Sequence, residues 1–578
     1  PNSRGTAGED KVGTEREEKM RVLLVEPNYK NKYPPMGLMK ISTYHKMLGD
    51  EVRFVKGVDP NVDAAVWDRI YITTLFTFDF SISAETILHY MRLVDDVSSL
   101  YVGGIMASLM PESIVEATGI DRSHILTGLF TDTSVVGDNN DINVDQLPLD
   151  YDILEDVNYK YPAGDNYFAY TTRGCPNHCS FCAVPILEPN FHVTNNIVEQ
   201  IKVIDQKYGP KQHLLLLDNN VLNTPNLESL VDDLCAAGFG RGAKYVDPGT
   251  YNIVMMRYHN GDRAEFLDKK MIAYLDKFKK RIKSPEKLDT FLQIVIGAED
   301  AEDYAGYMLE HEDELSPIVE KYRSKTPKAR YLDFNQGVDG RKINDDNMTQ
   351  LARLAIKPLR IAFDDIKLKD TYCAAVRTAH RHGIKEISNY ILFNYKDKPE
   401  DLYERLKINI ELNRELGIQI FSFPMKYSPI NRTDRSYIGV NWTKKSIRAI
   451  SAILQVTKGV VAAGSDFFYK AFGNTLEEYF ELLAMPRELI MFRHHFEENG
   501  TTATWKKMYQ AMSDEQKKEL MEFTSHTVAE LKQTPCPEQF REILPYYLIK
   551  YNGKKDQMGD GAVQLSLMDD SDIVFEDQ

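Results

Sequence analysis

The chain has 578 residues, 43% hydrophobic and 27% charged, ordinary proportions for a folded globular protein of roughly three or four domains. A net charge of −16 and a pI near 5.4 argue against broad, non-specific nucleic-acid binding, although a local basic patch is compatible with them. There is no signal peptide and no apolar run of about 18 residues or more, so neither secretion nor a membrane span is expected, and a cytoplasmic location is.

Residues 1–19 are polar and lack hydrophobic period; they read as a disordered leader, with Met20 the natural start. From residue 20 to 135 the pattern is α/β. RVLLVEP (21–27), EVRFV (51–55), RIYITTLF (69–76), SLYVGG (99–104) and HILTG (124–128) are strand candidates, with helical stretches between them. That alternation predicts βαβ units in a doubly wound, Rossmann-like sheet. Gly103 and Gly104 end one strand where a ligand could approach the backbone, although a tight turn explains them as well. Residues 136–165, rich in Asp and Asn, read as a linker.

A second α/β series spans 166–435. Its strands are FAYTTR (168–173), HLLLLDNN (213–220), RYLDFNQG (330–337), PLRIAFDD (358–365), ISNYILFN (387–394) and IQIFSFPM (418–425). Residues 221–329 separate the second and third, far more than the ~10–12 that a crossover with its helix needs, so an insertion is placed at about 240–328. It holds FLDKKMIAYLDKFKKRIKSPEK (266–287), a helix-patterned basic stretch. This is either a contact for phosphates or a solvated face paired with nearby acids. Residues 436–555 turn helical and predict an all-α domain. Residues 556–578, acidic and without Lys or Arg, predict a flexible tail.

Directly after the first strand of the second series comes TTRGCPNHCSFCAV, with Cys175, Cys179 and Cys182 spaced C-x3-C-x2-C. Three thiolates this close can hold three corners of a [4Fe–4S] cluster and leave one iron open to another ligand. A zinc site built from the three cysteines plus His178 or a distant histidine is the alternative. Cys235, Cys373 and Cys536 are scattered, which counts against a second iron–sulfur site of the methylthiotransferase kind.

The segment, with Phe181 between the last two cysteines, resembles the signature of the radical S-adenosylmethionine (SAM) superfamily. The resemblance implies a partial (β/α)6 TIM-like barrel over 166–435, a [4Fe–4S] cluster on Cys175, Cys179 and Cys182, and SAM on the open iron. It implies reductive cleavage of SAM to a 5′-deoxyadenosyl radical that abstracts hydrogen from a substrate, with electrons from a flavodoxin- or ferredoxin-type donor. Phe181 would pack beside the cluster. The polar strand ends Asp218, Asn219, Asn220, Asn335, Gln336, Arg341, Asp364 and Asn394, with Met425, would hold SAM; 218–220 depart from the family's Gly-Gly-Glu-like motif. Residues 20–135 resemble the cobalamin (B12)-binding-like domain that precedes many such barrels. They lack a D-x-H-x-x-G motif, and His45 lacks its surroundings, so the resemblance leaves cobalamin open. A cobalamin-dependent radical SAM methyltransferase is the alternative reaction. An iron–sulfur or zinc module acting with nucleic acid is the non-enzymatic one. The substrate is unnamed; the insertion suggests a polymer, nucleic acid or peptide. Gln564–Met568 (QLSLM) resembles a peptide that docks on the bacterial sliding clamp.

Overall fold

The computed structural model describes residues 19–60, 62, 67–94, 96–194 and 196–551. The chain divides into two units, 1–164 and 165–578. Residues 1–18 of the expected 1–19 leader, and the 556–578 tail with its QLSLM peptide, lie outside the described residues.

In the first unit, β1 (Arg21–Glu26), β2 (Glu51–Lys56), β3 (Arg69–Thr74) and β4 (Leu100–Gly104) form one parallel sheet in the order β2-β1-β3-β4. Val22, Leu23, Leu24 and Val25 are all fully buried, as expected of a strand covered on both faces. Between strands run α1 (Met36–Met47), α2 (Phe80–Leu93), α3 (Ile105–Leu109) and α4 (Pro111–Thr118). Pro111 opens α4 and Gly119, at φ 74°, closes it in the left-handed conformation. HILTG is not a strand. Asp121 caps a 3-10 turn over Arg122–His124, and Ile125 makes only one bridge, to Val102. Gly104, at φ 100°, brings its α-carbon against Thr74, where a Cβ would meet the Thr74 carbonyl at 2.2 Å. The close approach is to the neighbouring strand, which supports the tight-turn reading.

The expected linker is a correction. Residues 136–164 belong to the first unit. Asp150 accepts from Ser42 at 2.6 Å, Asp138 from Tyr44 at 2.6 Å and Arg69 at 2.9 Å, and Asp156 from the Phe54 N–H at 2.8 Å. Asn143 and Asp150 cap 3-10 turns through their own side chains. The Asp and Asn of this stretch are therefore capping and anchoring groups.

In the second unit, six parallel strands follow one another in chain order among the described residues. β5 (Tyr167–Ala169) leads to the short β6 (Thr172–Arg173), α5 (Val184–Leu187), β7 (His192–Val193) and α6 (Ile197–Tyr208), then to β8 (Leu214–Leu216) and α7 (Leu227–Leu234). β6 and β7 form a small antiparallel pair, and β5, β8 and the later β11 (Leu332–Phe334) form one sheet in the order β11-β8-β5. The inserted segment opens with β9 (Lys244–Tyr245) and closes with β10 (Lys328–Ala329), which pair antiparallel as a neck. Between them lie α8 (Gly249–His259), α9 (Glu265–Phe278), α10 (Pro285–Glu299), α11 (Tyr304–Glu310) and α12 (Glu312–Tyr322). These share a core that includes Tyr258, Met271, Phe291, Met308 and Leu315. The basic stretch is not one helix: α9 ends at Phe278, and Ser284 caps α10 ahead of Pro285. Three of its lysines meet local partners. Lys269 pairs with Glu265 at 2.7 Å and Lys279 with Asp276 at 2.5 Å, and Lys270 stands over the Phe266 ring.

β11 (Leu332–Phe334), α13 (Asp345–Leu351), β12 (Leu359–Arg360), α14 (Lys369–Arg381), β13 (Glu386–Phe393), α15 (Pro399–Leu416) and β14 (Gln419–Lys426) complete the series. β12-β13-β14 form a sheet, and parallel bridges Leu332↔Ile356 and Val338↔Ile361 join it to the β5-β8-β11 group. The sequential order β5-β8-β11-β12-β13-β14 is the connectivity that a β/α barrel requires. The C-terminal helices from α16 (Lys444–Val456) onward are not an independent body. Ile450, Ile453, Tyr479 and Trp505 share one core with Phe393 of β13 and with Leu402 and Leu406 of α15. Among the described residues no helix is long and apolar enough to cross a membrane.

Candidate functional site

The cysteine loop leaves the carboxyl end of the first strand of this series, and Asp218 holds it there. Asp218 Oδ1 accepts from the Thr171 N–H at 2.9 Å, Thr171 Oγ1 at 2.6 Å, Thr172 Oγ1 at 2.7 Å and the Thr172 N–H. Burial pushes this carboxyl up, and the four donors pull against it. Its Oδ2 is buried without a partner among the described residues. Glu188 fixes the next two residues: it accepts from Arg173 at 2.9 Å, the Gly174 N–H at 2.7 Å and Asn219 Nδ2 at 3.0 Å. Gly174, at φ 72°, is required here, since a Cβ would meet Asn190 O at 2.4 Å.

Cys175, Cys179 and Cys182 are free and half-buried. Burial is the first cause raising the thiols of Cys179 and Cys182. Charge on the neighbouring cysteines raises both further, Arg341 lowers Cys179, and the Val184 N–H lowers Cys182. The three thiols are thus close enough to feel one another's charge. Among the described residues no group of three or more His, Cys, Asp or Glu side chains forms the ligand set of a single metal ion. Three thiols within one loop, with no fourth cysteine in it, are the donors that a four-iron cube with one open corner would take.

Around this loop stand the expected strand-end groups, in differing roles. Asn220 is 2% exposed and points Nδ2 at Cys175 Sγ, 3.4 Å away. Asn177 donates its N–H to the same sulfur at 3.4 Å and its side chain to Asp339 at 3.1 Å. Arg341 forks onto Asp339 at 2.8 and 2.7 Å, and its charge lies within range of Cys175 and Cys179. Asp364 is pushed up to about 6, chiefly by burial, with Arg405 and Arg341 opposing. Arg405, fully buried on α15, donates to the carbonyls of Phe363 and Asp364 at 3.2 and 2.9 Å and to Asp397 at 3.0 Å, which fixes the end of β12. Phe181 stands edge-on to Tyr395 at 5.8 Å, and Ser180 shares a 2.7 Å hydrogen bond with the Tyr395 hydroxyl.

Other expected residues are placed elsewhere. Asn394 is fully buried at φ 68°. It spends its amide on the Tyr427 and Tyr437 carbonyls at 3.0 Å each and on the Gly439 N–H at 2.8 Å. It clamps loops and presents no face to a ligand, a correction to its expected role. Asn219 is engaged by Glu188. Asn335 is buried at the end of β11, Gln336 next to it is exposed, and Met425 is half-exposed near the end of β14. Glu188, Thr171, Thr172, Asp339, Arg405 and Tyr395 escaped sequence reading. Of these, Thr171 and Thr172 stood in the TTRGCPNHCSFCAV segment already singled out, and Asp339 stood two residues before Arg341. In the first unit, His45 is fully buried between Asp50 (2.7 Å) and the Tyr71 hydroxyl (3.1 Å), and burial lowers its pKa. It is a core histidine.

No protein-family model and no curated protein matches the chain. Among solved structures, the chain is similar to TsrM from Kitasatospora setae, a radical S-adenosylmethionine methyltransferase with cobalamin and a [4Fe–4S] cluster bound. The identity is 14% over 72% of this chain and 77% of that one, with a TM-score of 0.39. The same enzyme with tryptophan substrate and a SAM analogue bound is similar at 15% identity over 72% and 75%, with a TM-score of 0.38. OxsB, a cobalamin-dependent S-adenosylmethionine radical enzyme with aqua-cobalamin bound, is similar at 13% identity over 92% of this chain and 75% of that one, with a TM-score of 0.40.

Proposed function

We propose that this chain is a radical SAM enzyme whose second unit carries a [4Fe–4S] cluster on Cys175, Cys179 and Cys182. The observation that carries the reading is the half-buried three-thiol loop at the carboxyl end of β5, ringed by the polar ends of β8, β11 and β12. In β/α folds ligands gather at that edge. When bound, the cluster supplies the electron for reductive cleavage of SAM, and SAM supplies the hydrogen-abstracting radical. The chain's own residues then have separable tasks. Asp218 and Glu188 hold the loop, Asn177 and Asn220 donate to Cys175, and Arg341, fixed by Asp339, offers a guanidinium for the SAM carboxylate. The buried Oδ2 of Asp218 and Oδ1 of Asn220 are acceptors without a partner among the described residues.

Of the two reactions, transfer of a methyl group through cobalamin is favoured by the first unit, a parallel doubly wound sheet of the kind that binds ligands at its strand ends. Its histidines do not argue otherwise, because a lower-ligand histidine is dispensable in this reading. The test is production with added cobalamin followed by anaerobic reconstitution. Corrinoid absorption together with a cluster of four irons supports methyl transfer. A cluster without corrinoid returns the reading to direct radical chemistry. Tightly held zinc and no cluster refutes both.

A further inference from the structure

Asn220 is held between two demands. Its Nδ2 lies 3.4 Å from Cys175 Sγ, the sulfur that also receives the Asn177 N–H at 3.4 Å. Its side chain is 2% exposed, so the amide cannot turn to water, and Oδ1 has no partner among the described residues. Turning the amide over would set its carbonyl oxygen against a thiolate, which charge disfavours. We infer that Asn220 is a positioning residue that sets the reduction potential of the cluster by donating to Cys175, an inference that rests on the proposed cluster.

The argument is electrostatic. When the cluster takes one electron from a reductant, no bond breaks and the added negative charge is shared with the ligating sulfurs. A donor aimed at one of those sulfurs interacts more strongly with the reduced than with the oxidised state, and burial keeps water from replacing it. Removing the donor therefore makes reduction harder.

The experiment is a mediated potentiometric titration of the whole chain, reconstituted anaerobically without SAM, following the EPR signal of the reduced cluster. In Asn220→Ala the reduced-to-oxidised ratio at a fixed poise is expected to fall about tenfold, a 59 mV shift to more negative midpoint for one electron. Asn220→Asp, with a carboxylate oxygen where the N–H stood, should fall further. A loaded Asn220→Ala with the wild-type midpoint overturns the inference, as does Asn220→Asp at or above it. Loss of the cluster from both variants also overturns it, because Asn220 would then support the loop rather than tune the potential. A wild-type chain that takes up no [4Fe–4S] cluster refutes the underlying reading instead, and does so before any variant is made.

Discussion

Replacing Asp218 by alanine should release the strand that feeds the cysteine loop. One buried oxygen serves four donors from Thr171 and Thr172. The two hydroxyls can re-aim, but the two backbone N–H groups cannot. Each buried donor left unpaired costs about 1–3 kcal/mol, so the local loss is roughly 2–6 kcal/mol. At 1.4 kcal/mol per factor of ten, amides over 168–174 should exchange with solvent at least about thirtyfold faster. Asp218→Asn is the control, because it keeps an acceptor oxygen in the same shape. Because the folded carboxyl titrates above its ordinary value, its ionisation lowers stability as pH rises through that interval, and the amide removes this cost. Asp218→Asn should therefore stay within about 1 kcal/mol of wild type. Hydrogen exchange with mass spectrometry reads both variants. Unchanged exchange in Asp218→Ala, or equal loss in the two, would refute the anchoring argument.

Other expectations concern the framework. Arg360 forks onto Asp333 at 2.7 and 2.7 Å with both side chains buried. Arg360→Met, which strands the carboxylate, should cost about 3–5 kcal/mol in denaturant unfolding, whereas pairing it with Asp333→Leu should recover most of that. His213 stacks on Tyr331 at 3.7 Å, and its pKa falls to about 4, first through burial and then through the Arg330 charge. Stability should therefore drop as pH falls from about 6.5 to about 4, by on the order of 1–2 kcal/mol after allowance for its partial exposure. In His213→Phe the pH slope of the urea midpoints across the range should be smaller by that amount. Because Tyr245 pairs directly with Lys328, excising 247–326 with a short glycine bridge should leave a folded chain that still takes up iron and sulfide. Aggregation, or failure to load, would show that the insertion supports the strands it interrupts.

β1 and β3 were legible because each is an apolar run bounded by turn residues, and burial on both faces demands that pattern, whereas the edge strands β2 and β4 bury fewer of their residues. β13 and β14 were legible for the same reason. The HILTG segment has the composition of a strand, but Asp121 caps a turn just ahead of it, so local side-chain capping prevailed over propensity. The supposed linker failed for a related reason. Asp and Asn serve loops and caps alike, and partnerships such as Tyr161 with Glu26, at opposite ends of the unit's sequence, leave no trace in local pattern. The cysteine spacing marked out the loop on which the proposed chemistry rests. The groups that hold that loop could not be read, since Asp218 meets Thr171 across 47 residues and Arg405 reaches the end of β12 from a helix beyond the next strand. Asn394 misled because a polar residue at a strand end looks the same whether it faces a ligand or clamps a loop.

The central claim is tested most directly by 5′-deoxyadenosine. The chain would be reconstituted anaerobically with iron and sulfide, given SAM and a strong reductant, and compared with Cys179→Ala. The account predicts the product, or for methyl transfer S-adenosylhomocysteine alongside it, from wild type and neither from the variant. Neither product from a wild-type chain holding an intact, reducible [4Fe–4S] cluster, or equal product from both proteins, would contradict it.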